Sequence, residues 1–336
     1  MARRPRALRF TLAAVLAVVL GGGACSDYGG DLSGGGAGGG SEMGAGADGL
    51  KTVKVTDTAG MPSAFLIYGV QRGYFKAQGL NVRVQTSAGG AAAIPALING
   101  GLDVAGSNVV SAMIAMNRGL PITMVGSGTR ASTDPGQDFS GLVVPQDSPI
   151  RSAADLAGKR VAVNTLRNIN DIVLDASVQR AGGRPAGTKY VEMGFPDMAP
   201  SLERGDIDAA MLIEPFLTMA KSAGMREVAR PYTDTRHGLQ IGTYLMAREK
   251  ATKDRRLVSS FQAGVRRTAE SISRDPKAFR QALPGIAGFK PELAAKIHLP
   301  SWSGATDRAS VELIGRSMRR LGLTEREFDY DKGVLK

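Results

Sequence analysis

Enzymatic chemistry needs a nucleophile beside its base, a matched pair of carboxylates or a set of metal ligands, and this 336-residue sequence offers few such parts. It holds two histidines, His237 and His298, far apart along the chain, and a single cysteine, Cys25. One cysteine permits neither an internal disulfide nor a cysteine metal cluster. No paired carboxylates stand on a recognisable strand-end loop. The side chains that recur at regular places are small and polar: Ser87 with Gly89 and Gly90, then Gly106, Ser107 and Asn108, then Asn164 and Thr165. Hydroxyls, amides and glycine N–H groups of this kind suit reversible binding of a polar or anionic solute.

These residues fall where predicted strands end. Residues 52–56 alternate and are β-rich, and they lead into Asp57-Thr58-Ala59-Gly60-Met61-Pro62-Ser63 ahead of a helix over 64–73. Asp57, Thr58 and Ser63 are available to cap that helix, their commoner use, or to touch a ligand. Gly79 stops the next helical turn directly before a strand over 82–85. A helix follows near Gly90 with Ala91, Ala92, Ile94, Leu97 and Ile98 on its apolar face, and Pro95 predicts that the helix proper begins only near Ile94. A strand over 102–105, a helix over 110–118 and a strand over 122–125 continue the pattern. Repeated βα units predict a parallel sheet with right-handed crossovers and every small polar end on one edge, where open α/β sheets take their ligands.

A strand over 141–144 changes character and a second sheet begins. Its parts are a capped turn from Ser152, a strand ending at Asn164-Thr165, a helix over 170–181, a strand over 189–193, a helix over 197–204 and a strand over 206–213. Glu214-Pro215 then opens a helix with proline in its first turn. After a strand over 241–247 the chain is helical to its end. Asp254 caps a helix carrying Leu257, Val258, Phe261, Val265, Ala269 and Ile272 at helical spacing, and helices over 276–283 and 307–321 follow. Trp302, the one tryptophan, lies between these helices and is expected to pack in a core.

An apolar fraction of 43% with 22% charged residues is ordinary for a globular chain of one or two domains. The formal charge is +11, but Arg3, Arg4, Arg6 and Arg9 fall in residues 1–24 without an acid, which leaves +7 for the rest. No basic stripe interleaved with aromatics, zinc spacing or recognition helix accompanies it, so nucleic acid is not an expected partner. Residues 1–24 have the basic, apolar and small-residue parts of a secretory signal peptide, and the apolar run over 10–20 is shorter than the roughly 20 residues that span a bilayer. Cys25, after small residues and before Ser26-Asp27, resembles the acylated cysteine of a bacterial lipoprotein, with Gly22 where that pattern usually has Leu. An ordinary cleaved leader beside a free thiol is the other reading. Residues 25–50, rich in Gly, Ala and Ser, then form a tether between lipid and folded protein.

Five landmarks occur in a fixed order: Arg72-Gly73-Tyr74-Phe75-Lys76-Ala77-Gln78-Gly79-Leu80-Asn81-Val82; Ala88-Gly89-Gly90 with Gly101-Leu102-Asp103-Val104; Gly119-Leu120-Pro121-Ile122; Asp155-Leu156-Ala157-Gly158-Lys159-Arg160-Val161-Ala162-Val163; and Leu202-Glu203-Arg204-Gly205-Asp206-Ile207-Asp208-Ala209 with Glu214-Pro215-Phe216. In that order and spacing they resemble the nitrate-, sulfonate- and taurine-type solute-binding proteins of ABC importers over residues 51–320. The resemblance implies an α/β, two-lobed periplasmic-binding-protein fold of type II, each lobe a mainly parallel sheet flanked by helices, hinged by two crossings. The first lobe would comprise residues 51–142 and 238–336, the second 143–237, with the return crossing near 235–241. It also implies a small solute held between the lobes by Thr58, Met61, Ser63, Ser87, Gly89, Gly90, Ser107 and Asn108 on one side and by Asn164, Thr165, Arg167, Phe195 and Glu214 on the other.

Glu214 precedes a helix N-terminus, whose dipole would stabilise its carboxylate in a structural role. Arg130 and Arg167 are the cations nearest these loops; each either pairs an anionic head group or faces solvent. A sulfonate-, nitrate- or taurine-like anion is the favoured ligand, with a planar heterocycle such as a thiamin pyrimidine precursor second. A branch of the wider fold makes thiamin pyrimidine and, as the resemblance implies, uses a His- and Cys-rich iron site; this chain lacks those residues, so neither metal nor cofactor is expected. The implied partners are an importer's permease and ATPase, with the protein a monomer lipid-anchored outside the cytoplasm. A sensor without a transporter is the remaining alternative.

Overall fold

The computed structural model describes residues 49–335; the leader, Cys25 and nearly all of the tether lie outside the described residues. The chain opens with strand β1 (Lys51–Thr58), helix α1 (Met61–Gln71), β2 (Leu80–Ser87), α2 (Gly90–Ile98), β3 (Val104–Asn108), α3 (Val109–Asn117), β4 (Ile122–Ser127) and the short β5 (Thr129–Arg130). It then builds β6 (Ser140–Val144), β7 (Arg160–Val163), α4 (Ile169–Arg180), β8 (Lys189–Glu192), α5 (Phe195–Glu203), β9 (Ala209–Ile213), α6 (Phe216–Ser222), β10 (Arg226–Ala229) and α7 (Pro231–Thr235). The last third adds β11 (Gly242–Ala247), α8 (Arg248–Lys253), α9 (Arg255–Arg274), α10 (Pro276–Ala287), α11 (Pro291–Lys296), β12 (Ser301–Trp302), α12 (Arg308–Arg320) and α13 (Tyr330–Gly333).

Two five-stranded sheets result, ordered β2-β1-β3-β11-β4 and β10-β6-β9-β7-β8. In the first, β1 pairs in parallel with β2 and β3, while β11 lies antiparallel between β3 and β4. In the second, β7 pairs in parallel with β8 and β9, and β6 runs antiparallel to both β9 and β10. Each sheet is therefore mixed, where the repeated βα units predicted parallel strands throughout the first. The antiparallel members come from distant sequence, so local periodicity does not show them. β6 belongs to the second sheet over its whole length, so a change of lobe after residue 142 would cut it in two; the outgoing crossing precedes residue 140.

The first sheet has an apolar layer on each face. Val53 and Val55 of β1, Val104 of β3 and Tyr244 and Met246 of β11 face α1, α9 and α10, where Phe65, Phe261 and Phe279 are fully buried. Ala105 and Leu245 face the other way, toward α2, α3 and α12, in an apolar cluster that continues into the second sheet. Trp302 stacks on Phe65 at 4.8 Å and meets Phe279 edge-on, as expected of a packing residue. Asp254 accepts from the backbone N–H of Leu257 to cap α9, and its carboxylate also pairs with Lys51 at the start of β1.

Helix α2 begins at Gly90 rather than near Ile94 and carries Pro95 in its interior. Gly90 lies so close to β3 that a Cβ there would meet the Ser107 hydroxyl at 2.1 Å, which fixes the start of the helix against the strand. The carbonyl that Pro95 leaves without its helical donor belongs to exposed Ala91.

The two crossings between the sheets pair with each other. Ile241 donates to the Thr129 carbonyl at 3.0 Å and Ala131 to the Leu239 carbonyl at 2.8 Å, with β12 pairing on the far side of β5. Asp307 accepts from Arg130 at 3.2 Å and from Arg236 at 3.0 Å, tying both crossings to the start of α12.

Gly264 of α9 tests how tightly the first lobe is packed, because a Cβ there would sit 2.4 Å from the Phe75 ring. Helix propensity alone would make Gly264→Ala stabilising by about 1 kcal/mol, whereas forced overpacking costs about 1–3 kcal/mol. A lower denaturation midpoint in urea is expected; a higher one would contradict the packing described.

Candidate functional site

Strand direction decides which residues meet between the sheets. The carboxyl ends of β1, β3, β7 and β9 reach a common cleft, and so do the amino ends of the antiparallel β6 and β11, since Gly242 is in register with Asn108 and Ser140 with Ile213. The cleft is lined by Asp57, Thr58, Pro62, Ser107, Asn108, Gly128, Thr129, Phe139, Asn164, Ile169, Phe195, Ile213, Tyr232, Ile241, Gly242 and Thr243. Its open interior is about 50 Å³. The lobes already touch around it: the Met61 N–H reaches the Glu214 carbonyl at 3.4 Å, and the Asn168 amide donates to the Ser111 hydroxyl at 3.1 Å.

Of the residues expected to hold a ligand, Thr58, Ser107, Asn108, Asn164 and Phe195 line this cleft. Asn108 also caps α3, accepting from the Ser111 N–H at 2.9 Å. Asn164 is held from behind: its carbonyl accepts from the Asn170 amide at 2.9 Å, and the Asn170 carbonyl accepts from the Tyr232 hydroxyl at 3.2 Å. That chain turns the Asn164 amide nitrogen toward Gly89 across the lobes, where a Cβ would lie 3.1 Å from it. Gly89 also faces the Thr165 hydroxyl, so these two crests oppose each other beside the cleft. Ser87, half-buried, turns its hydroxyl to the Gly89 carbonyl, and Gly90 is used for close packing on β3.

Five expected ligand residues are placed elsewhere. Met61 is fully buried in the core of the first lobe. Ser63 sits inside α1 and donates to the Gly60 carbonyl at 3.1 Å. The Arg130 guanidinium is spent on the Gly238 carbonyl, at 2.9 Å, and on Asp307. Arg167, the one non-glycine residue with positive φ among the described residues (φ 51), is exposed and donates to the Gly322 carbonyl at 3.0 Å, outside the cleft. Glu214 is 1% exposed. Its carboxylate accepts from the Thr218 hydroxyl at 2.7 Å and N–H at 3.1 Å, and from the His298 N–H at 3.1 Å. Burial raises its pKa against those bonds. It joins the start of α6 to the segment before β12, a structural role.

Asp57, expected with Thr58 and Ser63 to cap α1 or to touch a ligand, does not cap that helix, whose start has no side-chain capping bond. The pairing of β1 with β3 and of β3 with β11 puts Asp57, Gly106 and Tyr244 in one row across the sheet. A Cβ on Gly106 would lie 2.2 Å from the Asp57 carboxyl, so the glycine supplies the slot in which that group sits. The Thr58 N–H reaches it at 2.8 Å and the Tyr244 hydroxyl is its side-chain partner. Burial nonetheless pushes its pKa up to about 7. Thr243, Gly242 and Ile241 were missed because only carboxyl strand ends were expected at the edge; an antiparallel strand brings its amino end there.

Among the described residues, no lysine, arginine or histidine lines the cleft. Among the described residues no cluster of three His, Cys, Asp or Glu could hold a metal ion, and no helix is long and apolar enough to cross a membrane.

Solved structures share the fold at low identity. The alkanesulfonate-binding protein SsuA of Xanthomonas axonopodis pv. citri, bound to MOPS, is 18% identical with a TM-score of 0.71, over 84% of this chain and 98% of that one. The periplasmic aliphatic sulphonate-binding protein SsuA of Escherichia coli is 16% identical with a TM-score of 0.67, over 85% and 92%. The ligand-binding component of an ABC-type import system from Staphylococcus aureus, with zinc bound, is 15% identical with a TM-score of 0.71, over 85% and 97%. These neighbours establish the two-lobed periplasmic-binding-protein fold. No curated protein sequence matches the chain. A family model does, over residues 61–279, and by that match the chain belongs to the NMT1/THI5-like family.

Proposed function

We propose that this protein is an extracytoplasmic solute-binding protein that captures a small organic solute between its lobes and delivers it to the permease and ATPase of an ABC importer. The observation that carries this reading is the convergence of strand ends from two separate sheets on one polar cleft, joined through a hinge of only two crossings. Such a construction lets a ligand hold two lobes together, and closure is then a signal a transporter can read. The fold neighbours named above are binding components of that kind, which supports the reading by analogy. We further propose that residues 1–24 are a signal peptide and that acylated Cys25 tethers the protein at the membrane as a monomer.

The anionic ligand expected from the sequence loses its two proposed cations, since Arg130 and Arg167 have other partners. Hydroxyls, amides and backbone N–H groups remain for an anion. A planar nitrogen heterocycle is favoured by a different observation: Phe139, Phe195 and Tyr232 line the same cleft as Asp57 and the Asn108 and Asn164 amides.

A thermal-shift screen with sulfonates, nitrate, carboxylates and pyrimidines tests the reading. A ligand at 100 times its dissociation constant stabilises the native state by about 2.7 kcal/mol, a shift of several degrees. Asn164→Ala should weaken a true ligand about tenfold and also lower the unliganded melting temperature, because the buried Asn170 amide loses its acceptor; silence across all four classes would remove the proposal. Mass spectrometry of the membrane fraction should find Cys25 acylated at a new N-terminus, and an unmodified Cys25 would remove the anchor.

A further inference from the structure

Among the described residues, the lining of the cleft contains one carboxylate and no basic side chain. That asymmetry is unexpected for a site whose ligand would be an anion, because a buried carboxylate repels a sulfonate or nitrate and nothing opposite compensates. Asp57 is 5% exposed, yet it borders the open interior. Its position is built: Gly106 leaves the slot, Tyr244 and the Thr58 N–H hold the carboxyl, and no cation among the described residues pairs with it. The groups packed around it from β1, β3 and β11 are Thr58, Gly106 and Tyr244, of which only the phenol titrates, and that phenol is itself raised by burial and by Asp57. A buried carboxylate with hydrogen-bond donors but no counter-charge is completed by a cation that arrives with the ligand.

We propose that Asp57 is the specificity-determining residue of this cleft and selects a solute that presents a protonated nitrogen, an ammonium or amidinium-type group, to its carboxylate. The proposal rests on the reading of the cleft as a solute site and names the charge of its ligand. Thr58, Ser107 and the Asn108 and Asn164 amides then serve the remainder of the solute, which for a zwitterion includes its anionic end. The empty protein holds the Asp57 proton up to about pH 7, so a cationic ligand must displace it at lower pH. Affinity for such a ligand therefore rises with pH until the carboxylate is ionised, whereas affinity for a simple anion would fall.

The test is a thermal-shift and calorimetric comparison of matched probes at about pH 8 and about pH 5.5, on either side of the Asp57 transition. One set carries the nitrogen: ethylammonium, acetamidinium and 2-aminoethanesulfonate. The other lacks it: ethanesulfonate, methanesulfonate and nitrate. Wild-type protein should bind the first set more tightly than the second, with the dissociation constant falling about tenfold per pH unit below about pH 7. Asp57→Asn should weaken the nitrogen probes roughly thirtyfold or more while still melting cooperatively. Its folding has a separate readout. The raised pKa makes the empty wild-type protein lose stability as pH rises from about 4 to about 7, and the variant should lack that loss. Ethanesulfonate binding as tightly as 2-aminoethanesulfonate, affinity falling with pH, or unchanged binding by a folded Asp57→Asn protein would overturn the proposal while leaving the solute-binding reading intact. Silence of both sets would overturn this proposal, and the solute-binding reading falls with it only where carboxylates and pyrimidines are silent too.

Discussion

Strand β11 enters the first sheet antiparallel, between β3 and β4, after the chain has built the whole second sheet. The crossing that delivers it pairs with the outgoing one at residues 129–131, which makes the hinge. Its amino end lies beside Asn108 and adds Ile241, Gly242 and Thr243 to the cleft, while Tyr244 reaches over Gly106 to the Asp57 carboxyl. A parallel strand in that slot would present its opposite end and lose all three consequences. The closure entropy of this long-range pairing is repaid by two buried faces, with Leu245 on one side and Tyr244 and Met246 on the other.

Polar groups in the cleft are held in pairs that leave selected atoms open. Asn108 accepts a capping bond and Asn164 accepts from Asn170, so each amide is oriented before any ligand arrives. Such preorganisation lowers the ordering cost of binding. The arginines nearest the cleft are fixed at the hinge and on the outer surface, which leaves Asp57 as the acidic residue among the described residues of the lining. The electrostatics of the cleft thus differ from those expected of a site for a bare anion, although the fold is shared with sulfonate-binding neighbours.

Much of the fold was legible in the residues, and so was part of the cleft. Gly79, with φ 76, ends its turn before β2, and Asp254 caps α9, because caps and glycine stops are local signals. Thr58, Ser107, Asn108, Asn164 and Phe195 were reachable because strand ends in α/β sheets gather at one edge. The assignments that moved depend on distant partners. Met61 and Ser63 face the interior because α1 lies on the sheet, Arg130 is drawn to Asp307 from a helix far along the chain, and Gly106 to Asn108 lie within β3 because β11 pairs with them. Edge strand β10 carries no alternation that would announce it, as each of its residues is only half-buried.

Hydrogen exchange by mass spectrometry, with and without the best-binding solute, addresses the two-lobed cleft most directly. Slowed exchange is expected in both lobes, at peptides covering 106–108 and 241–243 on one side and 164–169 on the other, together with the hinge at 129–131. Protection confined to one lobe would place the ligand elsewhere and contradict the cleft as the binding site.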